Sequence, residues 1–218
     1  MIPLLHDFAG ETVLVLGGGP VGARKARRFA REARVVVVSP AFADRGFGGA
    51  ERVRAAPAPD EVGEWLDRTG AALVVAATDD AAVNAAAVSA ARERGVLVNR
   101  ADRAGDRSGA GSVVVPATVE DSPVTVAVAT GGTAPALSRY LRERVEAEFE
   151  GAGAMARLVG DLRADLQSRG VAPARRREAV RAVVRAPRVW KALRREESKA
   201  RAEAERVIRE SLGGDGDA

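Results

Sequence analysis

The sequence has no cysteine, a single histidine, and aromatic residues at only 4% of its 218 positions. The missing cysteines exclude disulfide scaffolds, thiol nucleophiles, zinc-cysteine clusters and iron-sulfur ligation. With few aromatics to stack on bases and no nucleic-acid-binding motif, no nucleic-acid partner is expected, even at a net charge of +4. Nowhere do about 18 uninterrupted apolar residues occur, the run a membrane-crossing helix needs. Met1 to Gly10 lacks the basic start and apolar stretch of a secretory leader. The expectation is a soluble, cytoplasmic chain with no membrane contact.

What is present reads as an ordinary globular composition, 46% hydrophobic and 29% charged. The length suits one core domain with smaller appendages. The positive excess is C-terminal: residues 1–150 carry 18 basic and 20 acidic groups, residues 151–218 carry 16 and 10. Thr12 to Leu16 is a continuous valine- and leucine-rich run, the signature of a strand covered on both faces. A glycine cluster, a helix over Val21 to Ala33 and a β-branched strand over Val35 to Val38 follow. Leu73 to Ala77 reads as another buried strand, Ala81 to Arg94 as a helix closed by Gly95, and Val96 to Asn99 as a further strand. This alternation predicts a parallel sheet with helical crossovers.

After Asp102 the pattern changes. Arg103 to Gly111 reads as a loop, then Ser112 to Pro116 and Val124 to Ala129 as strands around an Asp121-Ser122-Pro123 turn. A helix over Ala136 to Phe149 follows. Residues 113–150 are too short for an independent core and would gain by pairing with a second subunit. Beyond Gly151, breaks at Gly170, Pro173 and Pro187 predict three or four short helices, with Gly213 to Ala218 a frayed tail. The arginines of 139–144 and of the C-terminal segment read either as a solvated helical face or as bidentate partners for a polycarboxylate.

Gly17-Gly18-Gly19-Pro20-Val21-Gly22 fits G-x-G-x-x-G between a predicted strand and a predicted helix. In that setting Gly17 turns the chain, Gly19 lets a pyrophosphate approach, Gly22 permits close helix packing, and the helix start behind Pro20, from Val21 on, offers unpaired N–H groups to phosphate. The acidic residue that usually holds a ribose at the end of the second strand is missing: Ser39-Pro40 stands there, with Arg45 nearby, which leaves NAD against NADP open. Thr78 and Asp79 sit where a strand ends and its helix begins, the edge at which such sheets bind ligands, although one of Thr78, Asp79 and Asp80 could simply cap that helix. Asp102 follows another strand end and would face the same crevice, where a carboxylate can take a proton or coordinate a metal, although from position alone a solvated loop aspartate is the more ordinary reading. His6 lies outside the predicted crevice, and no metal-ligand set is singled out.

Together these segments resemble a known family. Phe8-Ala9-Gly10, the Val13 to Gly19 run with Val21, Arg24, Lys25 and Ala26, Ala76 to Asp80 with Val83-Asn84, and Asn99 with Asp102 are similar to the precorrin-2 dehydrogenase region of siroheme synthases. Pro116, Asp121-Ser122-Pro123, Val126-Ala127-Val128, and Gly131-Gly132-Thr133 with Pro135 continue the pattern in order, over roughly residues 2–150. The resemblance implies an α/β architecture in three parts: a Rossmann-like NAD-binding domain over 1–112, a small α+β dimerisation module over 113–150, and a helical C-terminal domain over 151–218. It implies NAD as cofactor, precorrin-2 as substrate, sirohydrochlorin as product and a homodimer as the working form. In some members of the family ferrous iron is also inserted into the product. The family's catalytic aspartate falls on Asp102, while the Arg103 to Gly111 loop looks longer than the family's. The competing reading is a regulatory module that senses NAD or NADH without turnover.

Overall fold

A computed structural model describes residues 2–102, 109 and 111–213. It divides into two compact units, Met1–Val115 with Gly131–Thr133, and Pro116–Thr130 with Ala134–Ala218.

The first unit is built on five parallel strands: β1 (Thr12–Leu16), β2 (Arg34–Ser39), β3 (Glu51–Arg54), β4 (Leu73–Ala76) and β5 (Leu97–Arg100), in the order β3-β2-β1-β4-β5. The apolar runs are continuous because both faces are covered. On one face Val13, Val15, Val35 and Val37 pack against Ala23, Ala26 and Phe29 of α1 (Pro20–Phe29). On the other, Leu14, Leu16, Val36 and Val38 pack against Val62 and Leu66 of α2 (Val62–Thr69) and Val83 and Ala87 of α3 (Ala81–Arg94). Gly95 ends α3 in the left-handed conformation expected of it, at φ +67°.

Two expectations are corrected and one gap is filled. The first helix stops at Phe29 rather than Ala33, because the residues between must turn the chain back to start β2 at Arg34. Residues 51–54 and 62–69, for which the sequence pattern gave no element, form β3 and α2: in Glu51-Arg52-Val53-Arg54 the charges mark an edge strand, with only Val53 directed to the core. Ser112 to Pro116 is not a strand of a hairpin. Instead Ser112 bridges Val98, the Val98 N–H donates to the Gly111 carbonyl (2.9 Å) and the Val113 N–H to the Val98 carbonyl (2.8 Å), while Val113 and Val115 pack on the α1 face. Pro116, which lacks an N–H, precedes the strand that does pair.

In the second unit β6 (Ala117–Asp121) and β7 (Val124–Val128) form an antiparallel hairpin, with α4 (Pro135–Glu148) against it. The hairpin turn is fastened to α5 (Ala152–Ser168): Asp121 Oδ2 accepts from the Gly153 N–H at 2.9 Å, and Arg157 donates to the Ser122 carbonyl. The breaks at Gly170, Pro173 and Pro187 separate α5 from α6 (Pro173–Arg185) and α6 from α7 (Pro187–Leu193); α8 (Glu197–Gly213) follows. Two of these helices, α5 and α8, run for 17 residues, longer than expected. Met155, Leu158, Leu162 and Leu166 form the buried stripe of α5, closed by Val183, Val189, Ala204 and Ile208. Surface arginines here pair with acids, as Arg201 does with Glu205 and Arg188 with Glu203. The tail from 214 lies outside the described residues, as does most of the Arg103 to Gly111 loop.

Neighbouring valines test this packing. Val183 is fully buried and Val184 is 41% exposed. Val183→Ala should lower stability by about 2 kcal/mol and Val184→Ala by less than about 0.5 kcal/mol, measured by urea unfolding through the far-UV helix signal.

Candidate functional site

The strand ends of the first unit gather the sequence-predicted positions at one edge of one sheet. Gly17–Gly22 follows β1, Ser39 ends β2, Thr78 and Asp79 follow β4, and Asp102 follows β5. The glycine elbow is stitched to both neighbours: the Gly17 N–H donates to the Val38 carbonyl (2.9 Å), the Ala77 N–H to Leu16 (2.9 Å) and the Ala43 N–H to Gly18 (2.8 Å).

Each glycine has its own steric reason. Gly17 holds φ at +113°, and a Cβ there would collide with the Ala77 carbonyl. A Cβ on Gly22 would strike the Gly17 carbonyl, so hydrogen alone lets the first turn of α1 rest on the elbow. Gly19 differs: nothing lies within 4 Å of where its Cβ would be. No side chain caps α1, no acidic residue occupies its first turn, and Pro20 brings no N–H, so the Val21 and Gly22 N–H groups lack intrahelical acceptors at an open approach. Gly18, to which the sequence reading gave no role, is equally constrained, since a Cβ would meet the Ala41 carbonyl and the Phe42 ring.

Ser39 is buried and its hydroxyl donates to the Ala41 carbonyl at 2.7 Å, so its proton is committed to shaping the turn with Pro40. In register with Ser39 stands Arg54 of β3. Arg54 and Arg52 line a cavity of about 460 Å³ with Phe42, Ala43 and Asp44. The Arg52 guanidinium lies 5.7 Å from the centres of both the Phe42 and Phe47 rings. Arg45 is not among the lining residues. This recess escaped the sequence reading because β3 did; the signal was the alternation of Arg52 and Arg54 about Val53.

At the end of β4 the structure resolves which residue caps α3. Asp80 Oδ1 accepts from the N–H groups of Ala82 (2.8 Å) and Val83 (3.1 Å). Buried Asn84 then fixes the turn before it, its Oδ1 accepting from the Thr78 N–H (3.2 Å) and hydroxyl (2.9 Å) while its Nδ2 donates to the Thr78 carbonyl (2.9 Å). The Thr78 hydroxyl is thus held inside the turn, and Asp79 stands outside this network.

Beyond β5, Asn99 Nδ2 donates to the Val113 carbonyl at 2.8 Å, and its buried Oδ1 has no hydrogen-bond partner among the described residues. Arg100, the last residue of β5, reaches Asp102 with both arms of its guanidinium: Nε to Oδ1 at 2.7 Å and Nη2 to Oδ2 at 2.5 Å. The second strand over from β1 carries this carboxylate, about 10 Å sideways at the usual strand spacing. On α1, half-buried Lys25 is pushed down to about 8 by burial and by the neighbouring Arg28 and Arg24 charges. Among the described residues no group of three or more His, Asp and Glu side chains could hold a metal ion, and no helix is long and apolar enough to cross a membrane.

Residues 4–117 match a protein family described as "Putative NAD(P)-binding". The chain belongs to this family. It is also 37% identical over 222 residues to the siroheme synthase of Stutzerimonas stutzeri, covering 98% of this chain and 44% of that protein. It is 34% identical over 226 residues to siroheme synthase 1 of Aeromonas salmonicida, covering 99% and 46% respectively. The chain therefore spans less than half the length of these relatives, and the alignment runs through the helices beyond Gly151 as well. Among solved structures, a chain titled "SirC, precorrin-2 dehydrogenase" shares the fold, with a TM-score of 0.68 at 21% identity over 95% of this chain and 98% of that one. In this NAD(P)-binding family member the architecture is Rossmann-like, with a small antiparallel sheet and a helical C-terminal region, as the sequence implied.

Two outcomes follow from the elbow and its helix. Gly19→Ala should keep wild-type stability yet weaken NAD binding about tenfold or more, whereas Gly22→Ala should lower the melting temperature by several degrees; isothermal titration and thermal melts separate them. Lys25→Met should be more stable than wild type at pH 7 by about 2 kcal/mol. The folded lysine loses its proton near 8 and the unfolded one near 10.5, so across that window the unfolded state binds more protons and wild-type stability rises with pH. The gap in urea midpoints should close as pH climbs through it.

Proposed function

We propose that this chain is an NAD-dependent precorrin-2 dehydrogenase, forming sirohydrochlorin in siroheme biosynthesis, in the cytoplasm and as a homodimer. The observation that carries the reading is the shared sheet edge: an open glycine elbow follows β1 and a guanidinium-held carboxylate follows β5 at the same end of one parallel sheet, in a chain aligned over 98% of its length with a siroheme synthase. The residues fit a dinucleotide. The free N–H groups of Val21 and Gly22 and the bare approach at Gly19 suit the pyrophosphate, and the turns at Ser39-Pro40 and Thr78-Asp79 border it.

Bound NAD supplies an acceptor for two electrons and one proton, taken together as hydride. Dehydrogenation releases a second proton, and on this reading Asp102 accepts it and passes it to solvent. Arginines at the crevice would orient a substrate that bears many carboxylates. Iron insertion into the product is the second activity proposed for the same carboxylate, with ferrous iron as a substrate. The dimer is supported by α4, which buries none of its residues and leaves Leu137 48%, Tyr140 57% and Leu141 37% exposed. On this reading residues 1–112, 113–150 and 151–218 serve as cofactor domain, pairing module and helical domain.

Protein mixed with NAD and precorrin-2 should produce NADH and the sirohydrochlorin chromophore together, and Asp102→Ala should slow this about 10²- to 10⁴-fold. Folded protein that binds NAD and forms neither product would favour an NAD-sensing module. In light scattering the wild type should run as a dimer; a clean monomer would remove the pairing role of 113–150.

A further inference from the structure

Arg100 is a charge that the fold has nearly withdrawn from water. Its side chain is 8% exposed and that of Asp102 19% exposed. A guanidinium so placed needs an anionic partner, since a buried charge left uncompensated is strongly destabilising. Both carboxylate oxygens are engaged at once, in the parallel two-bond geometry that fixes direction as well as distance. A lysine, with a point charge on a flexible stem, cannot impose that plane. The anchor of the fork is itself rigid: Arg100 ends β5 in register with Ala76 of β4, and the Ala101 N–H donates to the Ala76 carbonyl at 2.8 Å.

We propose that Arg100 is a positioning residue for Asp102, holding its carboxylate in one orientation at the strand-end edge of the sheet; this rests on the reading of Asp102 as the proton acceptor. A two-bond fork uses one lone pair on each carboxylate oxygen. The pairing has a second effect. Substrate carboxylates would be repelled by an isolated aspartate, whereas the Arg100–Asp102 pair presents almost no net charge. Arg100 thus lets an anionic macrocycle approach the aspartate.

Arg100→Leu should lower kcat about 10- to 100-fold with the KM for NAD unchanged, the scale expected of a misaligned catalytic group. Arg100→Lys should recover part of that loss. In an Asp102→Asn background, Arg100→Leu should cause no further fall in kcat, because the two residues act as one unit. Sirohydrochlorin affinity, read by fluorescence without turnover, should weaken in Arg100→Leu and return in the double variant. Wild-type kcat in Arg100→Leu, or a double variant slowed by the product of the single effects, would overturn the assignment while leaving Asp102 in place. Wild-type kcat in Asp102→Asn would overturn the reading of Asp102 and the role of Arg100 together. Should Arg100→Leu fail to fold, Arg100→Lys and Arg100→Gln carry the same comparison against Asp102→Asn.

Discussion

The seating of α1 on the elbow after β1 is the constraint on which the rest of the crevice depends. Gly22 lies against the Gly17 carbonyl with room for no carbon atom, and a Cβ on Gly17 would likewise strike the Ala77 carbonyl of the next strand connection. Those two contacts fix where the helix begins, how its unpaired N–H groups are aimed, and how near the ends of β1 and β4 can come. Burial does the remaining work: with Val13 and Val15 on one face and Leu14 and Leu16 on the other, β1 has no freedom to slide or rotate.

From this base the site is a matter of which polar groups the fold commits locally and which it leaves available. The hydroxyls of Ser39 and Thr78 and the carboxylate of Asp80 are all spent on shaping turns. Asn84 is spent likewise, on the main chain of Thr78. The side chains that border the crevice therefore act mainly by holding backbone in place, which accords with a dinucleotide being recognised largely through main-chain N–H groups.

Much of this was legible in the sequence, and the failures have physical reasons. Continuous apolarity in β1, β2 and β4 announced strands buried on both sides, and Gly95 marked the end of α3 to the residue. The glycine elbow was readable because its spacing reflects contacts between neighbours in the chain. β3 was not readable: an edge strand with one core-facing valine has no periodic signal to offer. Nor could local pattern say that Val113 and Val115 cover the sheet face instead of pairing in a hairpin, a choice made by residues distant in sequence. Which of Thr78, Asp79 and Asp80 caps α3 was equally beyond reach, since all three side chains can cap and only the backbone path decides. The fork between Arg100 and Asp102 lay in plain view two residues apart, yet a strand end followed by a loop carries no rule that brings such side chains together.

The two borders of the parallel sheet are closed by different means. At β3 the outermost strand presents Glu51, Arg52 and Arg54, with Glu51 tied to Arg34 at 2.7 Å. At β5 the backbone of Gly111 to Val113 already occupies the bonding positions of Val98. Another chain could add a strand on neither side without stripping charges or displacing that segment. The parallel sheet is in this sense guarded at both borders: a second copy that approaches β3 meets charges that strand pairing would have to desolvate, and one that approaches β5 meets a backbone already bonded.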